Sequence, residues 1–308
     1  YLYPVRMSLI RWIVYGLFFF GLIRCLNSKK RIETAIVAIL LLCGFDALYG
    51  IMQTYSGSSH IWWFKDTVHA KSVTGTYLNR NHFAGLMEMG IVLAIAYAGA
   101  LGGNDEERNR PSRSRSLKKR VLAFFSENTR NIKRFLITFT GGVLGLGLIL
   151  SGSRGGIIAM AGALLLMGLF FYSRKSERRK GRVSLLLFGI ALLFGIYAGL
   201  ESTVKRFETF DQALEKRWVW VEKTIDLFRD YRYTGVGIGN FRYAYGKYQP
   251  PQDALLYVDF AHSDYAQFLA DAGIAGAILL IAGMGWYVAR IFRRWRERRD
   301  SFAGCMGI

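Results

Sequence analysis

A histidine at the edge of an apolar run, two arginines beside apolar helices and a pair of asparagines are the side chains in this sequence best suited to chemistry. His262 lies in Ala261-His262-Ser263-Asp264-Tyr265-Ala266-Gln267-Phe268-Leu269, where the longest polar stretch between apolar runs gives way to the last of those runs. A neutral imidazole there can take a proton from a hydroxyl nucleophile. It can equally be a helix-end histidine that only hydrogen-bonds. Asp264 either tunes it or simply favours the N-terminus of the helix. Arg154 lies in the short turn Ser151-Gly152-Ser153-Arg154-Gly155-Gly156 between two apolar runs. The glycines admit unusual backbone angles and close approach of a ligand. A guanidinium there, charged at any working pH, can hold a phosphate bidentately, or it can snorkel to the membrane interface. Arg217, beside Trp218 and Trp220, offers a second phosphate or glycan contact. Its alternative is a solvated helix charge paired with Asp211 or Glu215.

A second polar cluster, Asn79, Arg80, Asn81 and His82, stands at the head of another apolar run. Amides there can bind sugar hydroxyls or cap the helix, and capping is assigned to Asn81. Asp46 and Glu88 lie inside apolar runs and must pair or face water, either as ion-coupling acids or in a structural pair with Arg154. Gly235-Val236-Gly237-Ile238-Gly239-Asn240 has the glycine spacing of a nucleotide loop. No strand pattern precedes it and no helix pattern follows directly, so a tight turn is the better reading.

The elements that position these residues are apolar runs near membrane-spanning length, apolar all round, which predicts helices rather than a transmembrane barrel. Seven are expected, roughly Ser8–Leu26, Ile32–Met52, His82–Leu101, Phe135–Leu150, Ile157–Tyr172, Val183–Leu200 and Ser263–Ile291. Within the polar stretch 201–261, Leu214, Trp218, Val221, Ile225 and Phe228 recur at helical spacing and predict an amphipathic helix. Thr209 and Gln212 fit a capping box at its start.

The 308 residues carry a formal net charge of +19. Most of the 41 Lys and Arg fall in four segments, after the first, third, fifth and seventh runs, including the basic stretch 102–134. The stretch 201–261 holds equal numbers of acidic and basic residues. Charge placed this way follows the positive-inside rule and argues against nucleic acid as a partner. It puts the basic segments, 102–134 among them, in the cytoplasm. Residues 53–79, the Arg154 turn and the loop 201–261 fall on the opposite side. Cys25, Cys43 and Cys305 have no metal-ligand or disulfide-framework spacing. The fold expected is an all-α polytopic membrane protein, a single membrane domain over 1–308. The first residues, Tyr1-Leu2-Tyr3-Pro4, suggest a piece of a larger membrane protein.

Several of these stretches together resemble the O-antigen ligase and O-antigen polymerase family of bacterial inner-membrane glycosyltransferases. Gly75-Thr76-Tyr77-Leu78-Asn79-Arg80-Asn81-His82-Phe83-Ala84-Gly85 resembles its Asn-rich motif, and Leu150 to Gly156 its Ser-Arg-Gly turn. Arg217-Trp218 followed by Gly235–Phe241 resembles its long-loop pattern, and Ala261-His262-Ser263 with Phe268-Leu269 and Gly273 its histidine motif. The resemblance runs from about Gly75 to Gly283, carried by order, spacing and topology together. Family members usually carry more spans than this chain shows.

The resemblance implies a GT-C-like fold and an undecaprenyl-diphosphate-linked glycan as donor. The acceptor hydroxyl would lie on lipid A–core, a growing polysaccharide or a protein, at the periplasmic face of the inner membrane. It implies neither cofactor nor metal. Carried over to this sequence, Arg154 and Arg217 stabilise the leaving diphosphate and His262 activates or orients the acceptor. Asn79, Arg80, Asn81, Ser153 and Tyr265 are the expected substrate contacts, and membrane lipids are further partners. The competing readings are a transporter of a lipid-linked or anionic solute, resting on Asp46 and Glu88, and a non-catalytic envelope scaffold.

Overall fold

The computed structural model describes residues 1–58, 60–63, 72–101, 129–173, 178, 182–187, 189–190, 193, 207–253 and 258–297. Regular structure among them is helical: α1 (Leu2–Cys25), α2 (Lys29–Tyr55), α3 (Arg80–Leu101), α4 (Thr129–Ser151), α5 (Arg154–Tyr172), α6 (Phe207–Asp230), the short α7 (Phe241–Tyr245) and α8 (Asp264–Glu297). A single 3-10 turn, Pro251–Asp253, precedes the last helix. All but α6 and α7 are long and apolar enough to cross a membrane, six candidate spans among the described residues. The chain is therefore an all-α polytopic membrane protein. Of the sixth expected span, Val183–Leu200, residues 183–187 are helical, and most of the remainder lies outside the described residues. The basic stretch 102–134 lies outside them as far as residue 128, and its last residues form the first turns of α4. Polar residues can continue a helix beyond the apolar run because the backbone ladder does not depend on lipid contact.

The described residues fall into two compact units, one of Tyr1–Asn27 with Thr203–Arg293, the other of Ser28–Ser202 with Arg294–Ile308. In the second unit α3 packs against α2, α4 and α5. Its core is formed by Ile36, Leu40, Cys43 and Ala47 of α2, Phe83, Met87, Ile91 and Tyr97 of α3, Leu144 and Leu148 of α4, and Met160 and Leu164 of α5. Small residues set the close approaches, as is usual between membrane helices. A Cβ on Gly90 would lie 2.7 Å from Leu144 Cδ1, and one on Gly156 would lie 2.8 Å from Ala84 Cβ.

In the first unit the core gathers Leu227 of α6, Phe241 and Tyr245 of α7, Val258, Ala261 and Ala270, with Trp220 and Phe228 against them. Helix α1 buries none of its residues, and its large apolar side chains are exposed. The stretch 201–261 thus holds a helix of 24 residues, Phe207–Asp230. Thr209 lies inside that helix rather than at its start.

Candidate functional site

At one end of the α2–α5 unit the heads of α3 and α5 meet. Asn79 precedes α3, and its Oδ1 accepts the Asn81 N–H at 2.9 Å, while its carbonyl accepts from His82 N and Phe83 N. Asn79, not Asn81, is therefore the cap. Because α3 starts at Arg80, Asn81 is already in the first turn, and its side chain is available to a neighbouring helix. It meets Ser153, whose hydroxyl donates to Asn81 Oδ1 at 2.9 Å. The same hydroxyl accepts from Gly156 N at 3.2 Å and so caps α5. One oxygen thus serves as donor and acceptor, tying two helix heads together.

Arg154 opens α5 and is half-buried. Gly152, at φ +62°, makes the turn before it, with Arg80 Nη1 3.8 Å from where a Cβ would stand. Glu88 Oε1 lies against Gly156, 2.9 Å from the position of its missing Cβ. The structure thus brings Asn79, Arg80, Asn81, Ser153 and Arg154 to one end of this unit. Two helix N-termini and two guanidiniums meet at that end beside the carboxylate of Glu88, and helix N-termini and guanidiniums are groups that attract phosphate. Asp46 is held at the same end. It is buried, its Oδ1 accepts the Thr76 N–H at 2.9 Å, and its carboxylate fills the space beside Gly75. This acid anchors the segment leading into α3, which gives it a structural use that the transporter reading does not require.

The other unit is organised around His262. Its backbone is left-handed, φ +54°, a conformation costing a non-glycine residue about 1–2 kcal/mol. Its imidazole stacks on the Trp220 indole, ring centroids 4.9 Å apart and planes 24° apart. The indole N–H donates to Asp253 Oδ2 at 2.8 Å, and Asp253 is buried in the turn Pro251–Asp253. Ser263 starts α8, with its carbonyl accepting from Gln267 N and its hydroxyl within 3.5 Å of Ala266 N. Gln267 turns back to accept the Ala261 N–H at 3.1 Å. Tyr265 is 88% exposed. Arg217 lies on α6 one turn before Trp220, and its side chain falls outside the described residues.

Behind His262 the last helix is broken. Gly273 has φ +64° and ψ −170° inside α8. The backbone groups released there are taken up by the glycine loop: Val236 N and Gly237 N donate to the carbonyls of Ala270 and Asp271, and Ile274 N and Ala275 N donate to those of Arg232 and Tyr233. The Asp271 carboxylate closes the arrangement, accepting from Phe241 N at 3.0 Å and Gly239 N at 3.4 Å. Gly235, Gly237 and Gly239 all have positive φ. The loop is a tight turn, and its inward N–H groups enclose an anion of the chain itself, where a nucleotide loop would hold phosphate. Sequence reading passed over Asp253 and Asp271. Asp271 bears the same mark as Asp46 and Glu88, an acid within an apolar run. Asp253 bears no such mark.

Residues 139–281, just under half of the chain, match the family model described as O-antigen ligase. Over that stretch the chain is similar to the O-antigen ligase family. No curated protein and no solved structure matches it. The O-antigen ligase stretch includes Arg154, Arg217 and His262, and it also includes Trp220, Asp253 and the Gly273 break. The asparagine cluster at the head of α3 precedes it.

Proposed function

We propose that this chain is an O-antigen ligase/polymerase-type glycosyltransferase of the bacterial inner membrane. It moves a glycan from an undecaprenyl-diphosphate carrier to an acceptor hydroxyl at the periplasmic face. The observation that carries this reading is the family match over 139–281, which spans all three candidate catalytic residues. The acceptor oxygen attacks the anomeric carbon, the bond from that carbon to the diphosphate oxygen breaks, and the hydroxyl proton leaves to a base. Negative charge then grows on the departing diphosphate. Fixed cations help most where charge grows, and Arg154 and Arg217 are assigned that part. His262 receives or orients the acceptor proton. Asn79, Arg80, Asn81, Ser153 and Tyr265 are assigned to glycan and carrier contacts. The end that gathers Arg80, Asn81, Ser153 and Arg154 holds two guanidiniums and two helix N-termini, which supports a diphosphate ligand there. The acceptor is lipid A–core, a growing polysaccharide or a protein, and no metal is assigned a part.

The test uses the protein purified in detergent and given an undecaprenyl-diphosphate-linked glycan, candidate acceptors and EDTA. Release of undecaprenyl diphosphate by wild type, lost in Arg154→Ala and His262→Ala, is the expected result. Release that persists in both variants removes the site assignment, and release abolished by EDTA removes the metal-free reaction.

A further inference from the structure

We infer that Trp220, oriented by the buried carboxylate of Asp253, is the positioning residue that sets His262 for the acceptor hydroxyl. The inference rests on the glycosyltransferase reading and adds to it two residues from outside the histidine motif.

Three observations carry it. First, His262 is exposed and its backbone is left-handed, so its placement needs an explicit hold. The Trp220 ring supplies one, stacked at 4.9 Å. Second, the indole is itself fixed. Its N–H donates to Asp253 Oδ2 at 2.8 Å, and its backbone carbonyl accepts from Thr224 Oγ1 at 2.7 Å. Third, Asp253 is only 4% exposed. Burying a carboxylate is costly unless its hydrogen bonds require it. A tryptophan that merely filled the core would need no such partner. Stacking on the indole fixes the plane of the imidazole. A general base needs that plane set, because proton transfer runs in the ring plane. Arg217 lies one turn before Trp220 on α6, so the same helix carries the histidine's platform and the second candidate cation.

The experiment uses the full-length protein in detergent, with transfer kinetics and a histidine-labelled NMR spectrum in which His262 is assigned by His262→Gln. In wild type the His262 ring protons are expected upfield of an exposed histidine, shifted by the indole ring current. Trp220→Leu should lose that shift and lower kcat about 10²-fold while the donor KM changes little. Trp220→Phe keeps a stacking face without the N–H and should fall between. Asp253→Asn retains an oxygen acceptor and should stay near wild type in both readouts, whereas Asp253→Leu should follow Trp220→Leu.

Wild-type kcat in Trp220→Leu would overturn the inference. So would a wild-type His262 resonance at the position of an exposed histidine. A fall in melting temperature in Trp220→Phe that accounts for all lost activity would assign Trp220 to packing alone and overturn it as well. If wild type itself transfers no glycan, the proposed function fails, and the NMR arm still decides whether Trp220 holds His262.

Discussion

The head of α5 and the segment around His262 both present a polar side chain at the edge of an apolar helix, and they hold it by different means. At α5 the bonds of Ser153 are local to helix ends. Ser153 caps its own helix, reaches across to Asn81, and leaves Arg154 as the first helical residue. Around His262 the fixing groups are buried acids and aromatic rings drawn from across 220–271. The first design follows from regular helices meeting end to end. The second keeps a non-glycine residue in a left-handed conformation and a membrane helix interrupted, so it depends on more partners. Under the proposed function, the cation needs charge in the right place and the base needs its ring at the right angle, and the two constructions suit those needs.

Substitutions that break one region and spare the other sharpen this contrast. The largest effect is expected at the helix break. A Cβ on Gly273 would stand 2.6 Å from Gly235 N, and one on Gly235 would stand 2.6 Å from Ala272 N, both at positive φ. Gly235→Ala or Gly273→Ala should cost about 3 kcal/mol or more, from backbone strain plus overlap. Gly246→Ala, where nothing lies within 4 Å, should be neutral. Thermal unfolding in detergent measures both, and equal melting temperatures would show that the clamp does not hold the fold.

At α5 the adjacent glycines form an internal control. Gly156→Ala would press on Ala84 and should cost about 1–3 kcal/mol, while Gly155→Ala meets nothing within 4 Å and should not destabilise. Ser153→Ala removes a cap and an interhelical bond and should cost about 1–2 kcal/mol. In a double-mutant cycle the Ser153–Asn81 coupling should be about 0.6 kcal/mol. A coupling of zero would mean the two helix heads are held by packing alone.

A pH-dependent effect concerns Tyr245, fully buried, with no hydrogen-bond partner for its hydroxyl among the described residues. Burial first, and then the Asp253 charge, push its pKa up to about 12 from the usual 10.0. A group whose folded pKa is raised contributes stability below its unfolded value and loses it as pH rises through the folded one. Stability of the unit containing His262 should therefore fall between pH 10.0 and about 12, as tyrosinate absorbance appears. Tyr245→Phe should remove part of that fall and, by deleting an unpaired buried hydroxyl, stabilise at neutral pH by about 1 kcal/mol. A late-titrating phenol that persists in Tyr245→Phe would point instead to Tyr248, whose pKa is also about 12, from burial and its bond to Asp230.

The helices were readable because an apolar run of spanning length has few alternatives. The residue types of the site were readable too, since charges at the edge of such runs are expensive and stand out. Partner choice was not. Asn79 and Asn81 are two residues apart and chemically identical, and only the start of α3 at Arg80 decides which one caps. The break at Gly273 was hidden because glycine is common in membrane helices and the run around it stays apolar. Trp220 with Asp253, and Asp271 with Phe241, join residues about thirty positions apart, and no local spacing encodes such pairs.

The attachment of α1 bears on how the protein is made. No residue of that helix is buried, and its contacts lie near the far end of the sequence: Tyr1 against Tyr243, Val5 beside Gly237, and Ser8 and Pro4 beside Gly239. During synthesis α1 leaves the ribosome well before the glycine loop, so these contacts form only after that loop has been translated. A ribosome stalled before residue 237 leaves α1 without its mooring in this unit. Docking of α1 thus waits on residues from the last third of the chain.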